Sequence, residues 1–173
     1  EGAGSLTISG TYIGIYASEL LTIDGGTISI NTEDDALKSD GDFVMNGGSV
    51  TLATPEKGVN ALYTLTINDG EINVLTSEEG LEGGYIIVNG GEINVVATDD
   101  GINVSEPNDT GTGYYLQING GTIVVDAEGD GLDANGSIEM NGGVVIVNGP
   151  TQQGNGALDY DATFNISGGV LVA

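Results

Sequence analysis

A three-residue turn signature recurs at nearly constant spacing along this chain, and this repeat constrains the fold more than any other feature. Two glycines, or once Asp-Gly, follow a polar residue at seven places. The polar residues are Asp24, Asn46, Asn68, Asn89, Asn119, Asn141 and Ser167. Subtracting neighbouring positions gives spacings of 22, 22, 21, 30, 22 and 26 residues. Such a period is typical of a solenoid, in which each repeat packs against its neighbours.

Apolar residues alternate with polar ones on both sides of this turn, as strands that bury one face require. Ile86 and Val88 show the pattern before the turn, and Ile93 and Val95 show it after the turn. A second turn, at Asp130 in one repeat, leads into a third apolar strand. The sequence therefore predicts an all-β fold, a right-handed parallel β-helix (solenoid) of about eight rungs of ~22 residues with three short strands per rung.

Each rung is expected to depend on its neighbours. The Asn residues before the Gly-Gly pairs fall in one column, where each amide can bond the copy one rung away and stabilise the turn. The first and last rungs lack caps, and uncapped strand edges promote association. We expect residues 1–173 to form a single β-helix domain within a longer chain or an assembly.

Acidic residues dominate the charge of the chain. It contains 26 Asp and Glu residues against Lys38 and Lys57, with no Arg or His, and its net charge is -24. This charge argues against nucleic acid and anionic membranes as partners and favours divalent cations. No apolar run approaches the ~18 residues of a membrane span, so we expect no membrane insertion. The absence of Cys excludes disulfides and thiolate metal sites.

Acidic residues recur at the second turn of successive rungs, where they would stack ~4.8 Å apart. Like charges at that distance repel by roughly 1 kcal/mol even in water, so the column is costly without a cation. Ca²⁺ takes about 6–8 oxygen ligands in tolerant geometry. A hydrated acidic edge that aids solubility is the alternative. The predicted calcium ligands are Asp34, Asp35, Glu78, Glu79, Asp99, Asp100 and Asp130.

Two tyrosines provide a candidate surface for sugars. Tyr85 and Tyr115 lie four residues before the Asn of their turns, in an outward column on neighbouring rungs. Flat rings with a polar tip are suited to sugar rings. We predict that Tyr85, Tyr115 and the adjacent Ile87 bind carbohydrate, the alternative being a tyrosine pair that only covers its neighbours. Tyr63 and Tyr114 have the inward parity and are predicted to be core residues.

The outward positions after the Gly-Gly turn change from polar to apolar in the last rungs. Soluble monomers seldom expose a contiguous apolar patch. We therefore predict contact with a partner subunit or with a further C-terminal segment, giving a homo-oligomer or an end-to-end assembly. The predicted self-association residues are Val124, Val144, Ile146, Val170 and Val172.

Several runs resemble a known family. They are Asp-Asp-Gly-Ile at 99–102, Gly-Asp-Gly-Leu-Asp at 129–133 and Gly-Asn-Gly-Ala-Leu-Asp-Tyr-Asp at 154–161. Together they are similar to the bacterial carbohydrate-binding β-helix family of the clostridial cellulose- and pectin-binding surface protein type. The run Asn-Asp-Thr-Gly-Thr-Gly-Tyr at 108–114 is also similar. The two spacings that exceed the period place excursions at 105–113 and 150–154. The resemblance implies export, a pectate-lyase-like fold, calcium binding and association with cellulose and acidic polysaccharides.

These observations predict a non-catalytic, extracellular or cell-surface, calcium-binding module for cellulose or pectin-like polymers. The alternative is a structural, self-associating surface, filament or adhesin protein. Paired aspartates on a β-helix also fit glycoside hydrolysis, for which Asp99, Asp100 and Asp130 are the candidates. Since the chain has neither His nor Arg, which β-helix polysaccharide-cleaving enzymes use, we predict that it is not an enzyme.

Overall fold

Parallel strands joined by tight turns make up the computed structural model, which describes residues 4–105 and 113–173. The predicted excursion at 105–113 lies largely outside the described residues. The strands are β1 Ser5–Thr11, β2 Ile15–Ala17, β3 Leu20–Ile23, β4 Thr27–Thr32, β5 Leu37–Ser39, β6 Asp42–Met45, β7 Ser49–Ala53, β8 Val59–Ile67, β9 Glu71–Thr76, β10 Leu81–Val88, β11 Glu92–Ala97, β12 Ile102–Val104, β13 Tyr115–Ile118, β14 Thr122–Ala127, β15 Leu132–Ala134, β16 Ser137–Met140, β17 Val144–Asn148, β18 Leu158–Tyr160, β19 Phe164–Ile166 and β20 Val170–Val172.

The strands form two long parallel sheets. One sheet has the order β1-β4-β7-β9-β11-β14-β17-β20, which follows the chain, so each step along it is one turn of the coil. The second sheet runs β18-β15-β12-β10-β13-β16-β19 and continues through β8 to β5 and β2 and to β6 and β3. The fold is an all-β solenoid of about 7 turns of ~22 residues, close to the predicted eight rungs. The predicted fold class is confirmed.

Stacked apolar columns fill the interior, as the alternation predicts. Leu65, Ile86 and Leu116 are paired in register on β8, β10 and β13, and each is 0% exposed. Burying a side chain of this size stabilises the fold by about 1.5–3 kcal/mol. In the last turn Ile166 is 47% exposed, because β19 has a strand on one side only among the described residues.

Two rungs depart from the three-strand pattern. In the other rungs one short strand follows the second turn and a separate strand leads to the Gly-Gly turn, as β5 and β6 do. β8 and β10 each span both positions as one continuous strand. Their register shifts between Gly83 and Tyr85, so that one residue of β10 faces two residues of β8. The prediction that Tyr63 is a core residue is wrong, because this bulge breaks the alternation and leaves Tyr63 49% exposed. Tyr114 is buried as predicted, at 4% exposure.

The turn signature has two structural causes. The second glycine of each pair has a positive φ, +96° at Gly48, and a Cβ there would lie 2.8 Å from the Gly26 carbonyl oxygen of the preceding turn. The Asn side chains form the predicted ladder: Asn68 Nδ2 donates to Asn46 Oδ1 over 2.8 Å, and Asn89 Nδ2 donates to Asn68 Oδ1 over 2.8 Å. The ladder begins at the Asp24 carboxylate and ends at the Ser167 hydroxyl.

Candidate functional site

Two outward columns of polar side chains run side by side along the solenoid. The turn column lies at the second turn of each rung, just before β5, β8, β10, β12 and β15. Backbone hydrogen bonds connect it from rung to rung. Its members are Asp35, Lys57, Glu79, Asp100 and Asp130. The strand column lies three residues further along each rung, and its members are paired in register from one strand to the next. They are Lys38, Asn60, Glu82, Asn103, Asp133 and Asp159.

In the first rungs, hydrogen-bond donors of the strand column surround a carboxylate of the turn column. Asp35 is 3% exposed. Its Oδ2 accepts from Lys38 Nζ over 2.7 Å and from Asn60 Nδ2 over 3.0 Å. The hydrogen bond to Asp35 raises the pKa of Lys38 above its usual range. The charge of Asp35 is therefore balanced within the protein.

In the middle rungs, one lysine serves two carboxylates. Lys57 Nζ lies 3.4 Å from Glu79 Oε2 and 3.2 Å from Glu82 Oε2. Asn103 Nδ2 donates to Glu79 Oε1 over 2.9 Å. Burial raises the pKa of Glu79 to about 7, Glu82 adds to that rise, and Lys57 opposes it. Burial by itself lowers the pKa of Lys57, but the negative charges of Glu82 and Glu79 hold that pKa above its usual range. One negative charge thus remains without a matching lysine.

The last rungs contain neither of the two lysines, and three carboxylates lie close together there. One oxygen from each of Asp130, Asp133 and Asp159 lies within 4.8 Å of the others, and we call these three residues the carboxylate triad. Burial raises the pKa of Asp133 to about 6, with Asp100, Asp130 and Asp159 adding to the rise. Asp130 Oδ1 accepts a hydrogen bond from the Gly156 backbone N–H, which fixes that carboxylate in place. A set of carboxylate oxygens suits Ca²⁺, which prefers hard oxygen ligands.

The predicted calcium ligands are divided among these environments. Asp35 and Glu79 lie with the lysines. Asp100 neighbours the triad, and its Oδ1 accepts from the Asp130 N–H over 2.7 Å. Burial raises the pKa of Asp100. The remaining predicted ligands, Asp34, Glu78 and Asp99, each directly precede a member of the turn column. Backbone hydrogen bonds connect Glu56, Glu78 and Asp99 from rung to rung.

Sequence reasoning missed Asp133 and Asp159 as candidate ligands. It followed the turn column and did not consider the strand column three residues away. A usable signal was present: Asp133 and Asp159 are 26 residues apart, the same spacing as between Asn141 and Ser167 in the turn signature. Equal spacing places the two aspartates in the same column on neighbouring rungs.

Three tyrosines cluster where β10 and β13 pair in the second sheet, Tyr85 and Tyr115 on its outer face and Tyr114 buried. The ring of Tyr85 lies 5.8 Å from that of Tyr114 and 5.2 Å from that of Tyr115, measured between centroids. Tyr85 is half-buried and packs against the core. Ile87 is also half-buried and is paired in register with Gln117. Tyr115 is paired with Tyr85 on one side and with Ser137 on the other.

A cavity of about 220 Å³ opens beside this cluster, and of the three predicted sugar-binding residues Tyr115 lines it. Gln117 Nε2 and Glu139 Oε2 lie 3.4 Å apart on its wall. The cavity thus combines an aromatic ring with amide, hydroxyl and carboxylate groups, which can in general pack against a sugar ring and hydrogen-bond hydroxyls. Its lining residues are Gly113, Tyr114, Tyr115, Gln117, Ser137 and Glu139.

The sequence matches a protein-family model described as "Carbohydrate-binding domain-containing protein" over residues 1–58 and 53–170. The chain belongs to this family. The predicted membership of a carbohydrate-binding β-helix family is confirmed, and the family supports a polysaccharide as partner. No curated protein and no solved structure matches the chain. Over residues 4–105 and 113–173, none of the secondary structure is a helix able to cross a bilayer.

The predicted self-association residues lie together on the outer face of the first sheet. Val144 is paired with Val170, Ile146 with Val172, and Val124 with Ile146. Val170 and Val172 are each 55% exposed and Val144 is 37% exposed, whereas Val124 and Ile146 are half-buried. We call these five residues the valine patch.

The second excursion, at 150–154, borders another depression. Its volume is about 410 Å³, and its lining includes Asp126, Glu128, Thr151 and Gln152. This depression contains no aromatic ring among its lining residues, which distinguishes it from the cavity beside Tyr115.

Proposed function

We propose that this chain is a non-catalytic, extracellular, calcium-dependent polysaccharide-binding module for cellulose or pectin-like polymers. The observation that carries the proposal is the carboxylate triad, which lies on the last rungs, where neither column contains a lysine. Family membership supports the carbohydrate. The cavity beside Tyr115, which shares the rung of β15 and β16 with the triad, supports direct contact between protein and sugar.

The triad has the chemistry of a calcium site. One carboxylate oxygen from each of its three residues lies within 4.8 Å of the others, and hard oxygen ligands are those that Ca²⁺ prefers. Burial makes the charged form of Asp133 costly, so a cation that neutralises it gains more than it would at an exposed carboxylate. Calcium bound there would supply positive charge and open coordination positions for the carboxylates of a uronate-containing polymer.

The triad and the cavity are close enough for one glycan chain to contact both. Asp133 of the triad and Ser137 of the cavity are four residues apart, so their Cα atoms are separated by at most about 14 Å. Both belong to the rung that contains β15 and β16. The two sites therefore lie side by side around the solenoid rather than at opposite ends of it.

The composition supports binding without catalysis. The sequence contains no His, Arg or Cys, which removes the most common general acid–base and nucleophilic groups apart from carboxylates and lysine. Both lysines are engaged in ion pairs with carboxylates. The acidic surface and the export implied by the family resemblance fit an extracellular location.

Pull-down on insoluble cellulose and on pectate coupled covalently to beads tests the proposed function. The wild-type protein is expected to bind at least one of the two polymers with millimolar calcium. Binding to pectate is expected to be lost when a chelator is added. Failure to bind either polymer with calcium present would overturn the proposal.

A self-associating surface protein is the second candidate function. The valine patch favours it, because Val170 and Val172 are exposed on a protein whose surface is otherwise strongly acidic. Contact between copies through this patch would remove apolar surface from water. The two functions are compatible, since the patch lies on the first sheet and the cavity lies on the second.

A further inference from the structure

The cavity beside Tyr115 has a preformed aromatic wall. Tyr115 is half-buried, and the Tyr85 ring packs 5.2 Å away at an interplanar angle of 58°. Tyr85 therefore fixes the orientation of the Tyr115 ring before any ligand arrives. A volume of about 220 Å³ is below the ~300–1,000 Å³ of pockets for drug-sized ligands, so the cavity suits a single ring of a polymer.

Hydrogen-bonding groups beside Tyr115 on the same face of the sheet match sugar hydroxyls. Glu139 is exposed and offers two acceptor oxygens to a pair of hydroxyls. Gln117 stands next to it in register. Its Nε2 donates to Glu139 Oε2 and its Oε1 accepts from Asn119 Nδ2, each over 3.4 Å, so the amide keeps a second N–H and a second lone pair for a ligand. Ser137 Oγ accepts a hydrogen bond from Thr163 Oγ1 over 2.9 Å, which leaves its own O–H to donate.

The charge at this cavity is incompatible with a uronate carboxylate. Glu139, which is paired in register with Gln117, provides a carboxylate to the cavity lining. The chain's two lysines lie elsewhere: Lys38 is bound to Asp35, and Lys57 is bound to Glu79 and Glu82. Lys57 precedes β8, which lies two strands from β13 in the sheet. A uronate entering the cavity would meet a like charge with no protein cation to offset it.

We propose that the cavity beside Tyr115 binds an uncharged sugar ring and that Glu139 excludes uronates from it. Tyr115 provides the stacking surface, and Gln117, Ser137 and Glu139 bind the ring hydroxyls. The inference rests on the proposed function and deepens it. The protein has two neighbouring subsites with opposite preferences: a calcium-dependent one for uronates at the triad and a calcium-independent one for neutral sugar here.

The test is calorimetric titration with an uncharged cello-oligosaccharide and with an oligogalacturonate. In chelator, the wild type is expected to bind the neutral ligand and not the uronate. Tyr115→Ala should weaken neutral binding about tenfold or more, since stacking and ring burial are lost. Glu139→Gln should weaken it severalfold because a charged acceptor is lost. Glu139→Lys should create uronate binding in chelator.

Tyr63→Ala is the matched control, because Tyr63 is an exposed tyrosine on β8 outside the cavity, and it should bind like the wild type. Wild-type binding of the neutral ligand that is unchanged by Tyr115→Ala and by Glu139→Gln would overturn this inference and leave the proposed function standing. Neutral binding that disappears in chelator would also overturn it. Failure of the wild type to bind either ligand with calcium would instead overturn the proposed function. Circular dichroism of each variant establishes that it is folded.

Discussion

Asp133 on β15 lies directly opposite Asp159 on β18, in the column position that Asn103 occupies one turn earlier. Where Asn103 provides an amide that donates to Glu79, the last turns place a carboxylate against a carboxylate. Like charges at the ~4.8 Å spacing of strands repel by roughly 1 kcal/mol in water and by more near the protein surface. This repulsion makes the effect of calcium on stability testable.

Substitution of Asp133 by Asn is predicted to change stability in opposite directions with and without calcium. In chelator, Asp133→Asn should raise the melting temperature by about 2–4 °C, the equivalent of ~1 kcal/mol of relieved repulsion. With millimolar calcium the same variant should melt below the wild type, because a ligand is lost. Differential scanning calorimetry measures both values.

Two controls accompany that experiment. Glu19→Gln removes the same charge from an exposed position in the first turn and should behave alike with and without calcium. Sodium chloride of matched ionic strength should raise the wild-type melting temperature less than calcium does. If the Asp133→Asn shift has the same sign in both conditions, the triad does not bind calcium.

Stability in the absence of calcium is predicted to rise as the pH falls from about 7 to about 5. The pKa of Asp133 is about 6 and that of Glu79 is about 7 in the folded protein, whereas unfolded Asp and Glu titrate near ~3.9 and ~4.3. The folded chain therefore takes up protons before the unfolded chain does, and protonation favours folding throughout this window. Urea denaturation at pH 7 and pH 5 measures the free energy of unfolding.

Asp133→Asn should reduce this pH dependence, and calcium should reduce it as well by keeping Asp133 charged. A free energy of unfolding that falls between pH 7 and pH 5 in chelator would contradict the sign of both pKa shifts.

The asparagine ladder is predicted to be a stabilising element. Asn89 donates to Asn68 and accepts from Asn119, so Asn89→Ala removes two hydrogen bonds at the centre of the ladder. The expected cost is about 1–2 kcal/mol, in the range of net hydrogen-bond contributions at solvated positions. Asn31→Ala is the control, because Asn31 is exposed on β4 outside the ladder. Equal unfolding free energies for the two variants would contradict a stabilising ladder.

The valine patch is predicted to mediate contact between copies. The double variant Val144→Thr and Ile146→Thr keeps β-propensity and lowers the apolar character of the surface. It should shift the sedimentation distribution toward monomer at concentrations where the wild type associates. Val96→Thr changes an exposed valine of the same sheet outside the patch and should sediment like the wild type. A wild type that is monomeric and unaffected by the double substitution would exclude this contact.

The core was predictable from the sequence because it depends on alternation and period alone. Ile86 and its column neighbours are buried where the repeat places them. Tyr63 was not predictable in this way, since the bulge opposite Gly84 depends on how β8 and β10 pair. A one-residue insertion reverses the facing of a side chain. The 21-residue spacing from Asn68 to Asn89, one shorter than the two spacings before it, shows that β10 has one residue fewer but not where in the rung the bulge lies.

The candidate site was predictable only in part. The outward position of Tyr115 follows from its column. The cavity also depends on Ser137 and Glu139 of the next rung, and the space between these side chains is visible only in the three-dimensional structure. The charge balance of the columns also needed the structure, because the partners of Lys57 are chosen by three-dimensional distance. Once the ion pairs of both lysines are known, the aspartates of the triad are identified as carboxylates without a lysine partner.

The most direct test of calcium-dependent polysaccharide binding is calorimetric titration of oligogalacturonate into the wild type, Asp133→Asn and Glu19→Gln. With calcium, the wild type and Glu19→Gln should bind with equal affinity, and Asp133→Asn should bind at least about tenfold more weakly, a difference of ~1.4 kcal/mol. In chelator the wild type should lose binding. Wild-type affinity that is the same with calcium and with chelator, or an Asp133→Asn affinity equal to that of the wild type, would contradict the account.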